Sequence, residues 1–373
     1  MGVTSDWLQA RDSEYLAFLR SVSIFVIVFG HVGGFWFYPP WTEFLHVFVP
    51  IFFSISGAVS YNVFLRKRSV PQYLSKRIIG LLAPYYCICI IALLVFVIQN
   101  SKLPEFNLPN LIKWVTITPT NSIMPFPLGQ VWFLHTLLIL NLVSPLIFWL
   151  YRRHPSFLII FLSCSILASA AQIHFNIAPF LAIAGHNLFK PLVHILFFCF
   201  GFMVIDQPKL RSPYISFVIV TLCLFVSILL VALFNLNPNY AFHTYSPDLY
   251  YVTGSLGAVW LFLLLQPYIL KIYELLPLMI HGVSDFIFRN TFAIYLLHSF
   301  SIYFVEKVFG LVNPPQKTIS YGIIKLMLVL LITLILSPMF TKVSSLMGKR
   351  MLMLALTGSR TKCTSAYDVG RAA

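Results

Sequence analysis

Apolar runs about twenty residues long recur along the chain, and that is the length a helix needs to cross the hydrocarbon of a bilayer. Windows of about 19 residues place ten of them, at roughly 18–38, 44–64, 78–98, 131–151, 157–173, 190–206, 214–234, 251–270, 288–309 and 321–342. Backbone polar groups have no water to bond in hydrocarbon, so such runs satisfy themselves as helices. The expected fold is all-α: a polytopic membrane bundle of about ten transmembrane helices occupying residues 1–343. A basic tail, 344–373, lacks apolar periodicity after Met351 to Leu356, and we expect it to be cytoplasmic and disordered or lying on an anionic leaflet.

Composition excludes a soluble alternative, since the chain is 59% hydrophobic and 10% charged with a mean hydropathy of +0.87. The net charge of +14 does not indicate nucleic acid, because the Lys and Arg residues lie at span ends, in short loops and in the tail rather than on a polar stripe with aromatics. They set topology instead. Alternating ten spans puts 19 of the 25 positive residues on the side that holds both termini and six on the other, so both termini are expected in the cytoplasm. The polar segment Met1–Asp12 lacks a small-residue cleavage site and precedes a run too long for a signal peptide, which suggests a retained first span. Five of the six cysteines fall in apolar segments and read as packing residues; Cys87 and Cys89, two apart, point to different helix faces.

Two ionisable groups interrupt the first span. Arg20 lies near its beginning and His31 well inside it, and charge-bearing residues in such a place invite a functional reading. Eleven residues at about 100° each return both to nearly one helix face, roughly 16 Å apart along the axis. An arginine at a membrane edge suits a phosphate, and a deep imidazole suits proton or acyl transfer. Glu14 is placed to orient Arg20 or a neighbouring basic group, or to remain a solvated carboxylate. No spacing of His46, His194 or His281 with carboxylates argues for zinc, no Gly-x-Ser-x-Gly elbow is present, and no metal is expected. Two outer segments draw notice. Gln99 to Gln130 is rich in Pro, Asn and Thr, and Asn235 to Asp248 carries His243 and Asp248. No internal repeat with paired broken helices is evident, which weakens a carrier reading.

Five stretches, in order, carry a resemblance. Glu14 to Arg20 runs on to Gly30-His31 with Arg and His eleven apart; Val49-Pro50-Ile51-Phe52-Phe53-Ser54-Ile55-Ser56-Gly57 follows. Then come Lys76-Arg77-Ile78-Ile79-Gly80-Leu81-Leu82-Ala83-Pro84-Tyr85-Tyr86, Val131-Trp132-Phe133-Leu134-His135, and Ser284 through Ala293-Ile294-Tyr295-Leu296-Leu297-His298. Over about residues 11–340 the chain resembles the acyltransferase-3 family of integral membrane acyltransferases. One departure is Gly80, where the family commonly has a second arginine three residues after the first.

The resemblance implies O-acyl transfer, with O-acetylation as the leading form, from cytoplasmic acyl-CoA to a hydroxyl of an extracytoplasmic glycan or lipid-linked glycan. Bacterial O-antigen lipopolysaccharide in a multi-pass inner-membrane setting is the leading case. It implies that Arg20, Lys76, Arg77 and Arg66 or Arg68 hold the donor phosphates, with acetyl-CoA or another acyl-CoA as substrate and no bound cofactor. His31 then acts as general base or as nucleophile. His298, His135, Ser54, Ser56, Tyr295 and Trp132 are candidate cavity-lining residues, each with a structural alternative: a histidine satisfied by a carbonyl, a serine bonded back to its own helix, or a packing aromatic. The alternative functional class is a transporter of a lipid-linked sugar or small anion. A structural subunit of a polysaccharide machine, which would tolerate alanine at His31, is a further one.

Overall fold

The computed structural model describes residues 10–33, 41–66, 69–104, 108–117, 130–183, 186–310 and 319–369. Among these, helices α1 (Ala10–His31), α2 (Phe48–Arg66), α3 (Val70–Asn100), α5 (Val131–Arg153), α6 (Pro155–Phe175), α7 (Phe189–Asp206), α8 (Pro213–Phe234), α9 (Leu249–Glu274), α10 (Leu278–Phe309) and α11 (Ile319–Val369) form the bundle. Ten helices are long and apolar enough to cross a membrane, and each falls on one of the ten apolar runs. The short α4 (Leu108–Val115) and a two-residue antiparallel ladder, β1 (Ala182–Ile183) with β2 (His186–Asn187), lie between spans. Chain chemistry sets the ends. Ser69 caps α3 by accepting from the Gln72 amide at 3.4 Å, Asp248 caps α9 by accepting from the Tyr251 amide at 3.0 Å, and Pro155 and Pro213 open α6 and α8. Asn176, Asn235 and Gly310 close helices in the left-handed region.

Helices α2 and α7 occupy the centre, with the largest buried share of the ten spans. They approach closely because each has a glycine at the crossing. A Cβ on Gly57 would lie 1.9 Å from the Phe198 carbonyl oxygen, and one on Gly201 would lie 1.8 Å from that of Ser54. Helix α8 is at the opposite extreme. Phe217, Leu222, Phe225 and Ile228 are exposed on it, as expected of a helix that faces lipid.

The helix bounds differ from the expected spans in two places. Helix α1 starts at Ala10 and ends at His31, where the expected span ran from about 18 to 38, so Arg20 is mid-helix and His31 is its last residue. Asp12 in the first turn suits the positive end of the helix dipole, which lets the polar stretch before Leu16 continue the helix. Gly33, at φ 101°, turns the chain just after His31. Likewise α11 has no break at residue 343. It passes straight into the segment expected to be irregular, and Gly348 packs against Ala83 and Ile79 of α3.

Candidate active site

Arg20 and His31 open onto two cavities toward opposite ends of the bundle. The first, about 260 Å³, is lined by Arg20, Lys76 and Arg77 together with Ser56, Ser60, Asn141 and Gly80. Arg20 Nε, Arg77 Nε and Arg77 Nη2 are buried and have no hydrogen-bond acceptor. The Arg20 guanidinium lies over the rings of Phe52 and Phe288, at 5.5 and 5.6 Å. Among the described residues no carboxylate lines this cavity. Two guanidiniums without a counter-ion among the described residues are costly in a membrane bundle, and their arrangement suits a polyanion. A Cβ at Gly80 meets nothing within 4 Å, so the cavity wall has room where the family commonly has its second arginine.

The second cavity, about 110 Å³, lies where α1 ends and α2, α5, α7 and α9 begin. His31, His46, Gln130, Trp132, Lys190 and Tyr295 are among its walls, with Thr244 and Tyr245 from the loop before α9. His31 has an accessible edge there. Behind it, His298 is 1% exposed and its Nε2 lies 3.1 Å from His31 Nδ1, with the two rings stacked at 5.0 Å between centroids. One nitrogen must donate and the other accept. When His31 Nδ1 donates, His31 Nε2 keeps a free lone pair and His298 carries its proton on Nδ1.

An aromatic layer separates the cavities. Phe52 and Phe292 line the arginine side; Phe133 and Tyr295 line the histidine side. Phe133 touches Phe52 edge-on at 5.2 Å and Tyr295 at 5.3 Å, and Tyr295 stacks on Phe292 at 6.1 Å. The Tyr295 hydroxyl donates to the Gln130 carbonyl, and Gln130 Nε2 donates to Ser299. These bonds fix the layer to the start of α5.

The loop before α9 is latched. His243 Nδ1 lies 2.6 Å from Asp248 Oδ2 and its Nε2 lies 2.8 Å from the Asn237 carbonyl oxygen. Both partners are acceptors, so both ring nitrogens donate in the charged form. Burial opposes that charge, but the Asp248 hydrogen bond and charge and the Asn237 carbonyl outweigh it, and the imidazole is held above its ordinary range.

The structure brings together Arg20, Lys76, Arg77 and Ser56 around one cavity, and His31, Trp132 and Tyr295 around the other, with His298 behind His31. Ser56 bonds back to the Phe52 carbonyl at 2.8 Å while facing the arginine cavity. It does not bring in the remaining candidates. Ser54 bonds back to the Pro50 carbonyl at 3.2 Å and lines a separate apolar cleft between α1, α2, α7 and α9. His135 stacks on His186 at 4.6 Å, away from both cavities, and Glu14 is exposed and lines neither. Arg68 lies outside the described residues. Sequence reasoning missed Lys190, Gln130 and Tyr245 as cavity residues; a lysine opening the sixth apolar run was the available signal for the first.

Among the described residues, no group of three or more His, Cys, Asp or Glu side chains could hold a metal ion. A family profile described as an acyltransferase domain, Acyl_transf_3, matches residues 13–338. The chain belongs to the acyltransferase-3 family. It is a multi-pass membrane acyltransferase, and both cavities lie within the matched acyltransferase domain. No curated protein and no solved structure matches the chain.

Proposed function

We propose that this acyltransferase moves an acyl group, most simply acetyl, from cytoplasmic acyl-CoA to a hydroxyl of an extracytoplasmic glycan in the bacterial inner membrane, O-antigen being the leading acceptor. The observation that carries the reading is the placement of Arg20 and His31 on one helix but in separate cavities. A polyanionic nucleotide suits the Arg20, Arg77 and Lys76 cavity by charge-assisted hydrogen bonds. The pantetheine arm then passes the aromatic layer to present the thioester to His31.

In this reading His31 Nε2 takes the acceptor proton as the hydroxyl oxygen attacks the thioester carbonyl. The new C–O bond forms and the C–S bond breaks. The imidazolium returns the proton to the CoA thiolate. His298, bonded to Nδ1, fixes the ring orientation, and the tautomer in which Nδ1 donates to it leaves Nε2 basic. The same free lone pair also serves nucleophilic attack and a transient acyl-imidazole.

The test is CoA release from acetyl-CoA by the detergent-purified protein, with and without bacterial glycan extract, in wild type and His31→Ala. Acceptor-dependent release that disappears in a folded His31→Ala protein is the expected result. If wild type neither releases CoA with any donor or extract nor binds acetyl-CoA, the enzyme reading falls and transport in vesicles becomes the measurement.

A further inference from the structure

We infer that Lys190 forms an acidic-sugar subsite beside His31, so that the acceptor presents a carboxylate next to the hydroxyl that is acylated. This rests on the acyl-acceptor reading of the His31 cavity.

Lys190 is in the first turn of α7 and on the cavity wall. Its ammonium lies 4.1 Å from the Trp132 ring centroid and 5.7 Å from that of Tyr245. Three cations of the bundle have counter-ions. Lys325 meets Glu306 at 2.7 Å, Arg211 meets Asp12 at 2.7 Å, and Arg11 meets Glu274 at 2.9 Å. Among the described residues no carboxylate pairs with Lys190, and none lines its cavity. Arg20 and Arg77 share that condition, but they face the other cavity, which the donor phosphates account for.

Aromatic faces hold the lysine by attraction to the ring quadrupole, and among the described residues no hydrogen-bond acceptor meets its ammonium. Its remaining N–H donors are left for whatever enters. The cavity is small, and Lys190 is the one Lys or Arg side chain among the described residues that line it, so it suits a small, singly charged anion. A single carboxylate on a sugar ring matches both facts. Trp132, Tyr245 and Tyr295 add apolar faces against which the ring's C–H groups pack. The loop from Asn237 to Asp248 brings Tyr245 to this position through its His243 latch, so the subsite is built from both sides of its mouth.

Equilibrium binding of methyl β-D-glucuronide and methyl β-D-glucoside, which share a ring and differ in one carboxylate, tests the subsite without any turnover. Wild type is expected to bind the glucuronide at least about tenfold more tightly, the effect of one charge-assisted hydrogen bond. The preference is expected to vanish in Lys190→Met, survive in Lys190→Arg, and weaken with salt. Acetyl-CoA binding and thermal unfolding, unchanged in Lys190→Met, verify the fold. Equal binding of the two sugars by wild type, or a preference that persists in Lys190→Met, overturns the proposal. A wild type with the preference but no acyl transfer would count against the transfer reading alone.

Discussion

The Nε2 of His298 stands 3.1 Å from the Nδ1 of His31 across 267 residues of sequence, linking the last residue of α1 to the middle of α10. Because the bond occupies Nδ1 of His31 and leaves its Nε2, and because His31 and not His298 lines the cavity, the two histidines have unequal roles. His31→Ala is expected to lower acyl transfer at least about a hundredfold, the usual contribution of a positioned base. His298→Ala leaves the base but frees its ring. It is expected to lower kcat about tenfold and to shift the pH profile of kcat/KM, with KM for acetyl-CoA unchanged. A profile identical to wild type would reduce His298 to packing.

Arg20 and Arg77 are expected to act on donor affinity. Arg20→Ala and Arg77→Ala should each raise the Kd for acetyl-CoA about tenfold or more, with Arg20→Lys recovering part of the loss. The recovery is partial because an ammonium makes one point contact where a guanidinium makes a fork. Isothermal titration with acetyl-CoA and with CoA alone measures this, and equal loss for both ligands places the contact on the nucleotide end.

The crossing of α2 and α7 predicts the positions least tolerant of a methyl group. Gly57→Ala and Gly201→Ala each place a Cβ within 2 Å of a carbonyl oxygen, so the helices must separate. A cost of about 1–3 kcal/mol is expected, read as lowered thermal stability in detergent. Gly80→Ala is the control. With nothing within 4 Å and a helical position, it should be neutral or stabilise by up to about 1 kcal/mol.

The His243 latch predicts a pH-dependent loop. The folded imidazole pKa is raised, so its contribution to stability is fully present below the ordinary histidine pKa of about 6.5 and is lost as pH rises through the higher folded value. Deprotonation removes one of the two ring N–H donors, and either Asp248 or Asn237 loses its bond. Hydrogen-exchange protection over residues 235–248, corrected for the intrinsic pH dependence of amide exchange, should therefore fall above neutral pH in wild type. In His243→Gln it should be low and independent of pH.

Much of this architecture was legible in the sequence, for a simple reason. Hydrophobic length is local information, and it located all ten spans. Helical periodicity is also local, and it placed Arg20 and His31 along one stripe of α1. What it misjudged was the start of that helix, because Arg11, Asp12 and Glu14 lower the apolar score without breaking a helix. Contacts between distant segments carry no local signal. The pairing of His298 with His31, the separation of Ser54 from the arginine cavity by one half-turn of α2, and the arrival of Lys190 beside Trp132 all depend on how helices cross. Glu14 shows the converse, since a carboxylate near Arg20 in sequence is exposed and does not line its cavity.

The layer of Phe52, Phe133, Phe292 and Tyr295 has an electrical consequence. Polar cavities enter the bundle from both ends, and if they met they would form a wet path for protons and ions through a charged membrane. Each elementary charge falling through that path dissipates about 2.3 kcal/mol per 100 mV. Four packed rings interrupt the water while leaving only side chains, which swing aside far more readily than backbone, between one chamber and the other. Under the proposed transfer, a cell that carries this protein would thus hold its membrane voltage while donor and acceptor approach from opposite faces.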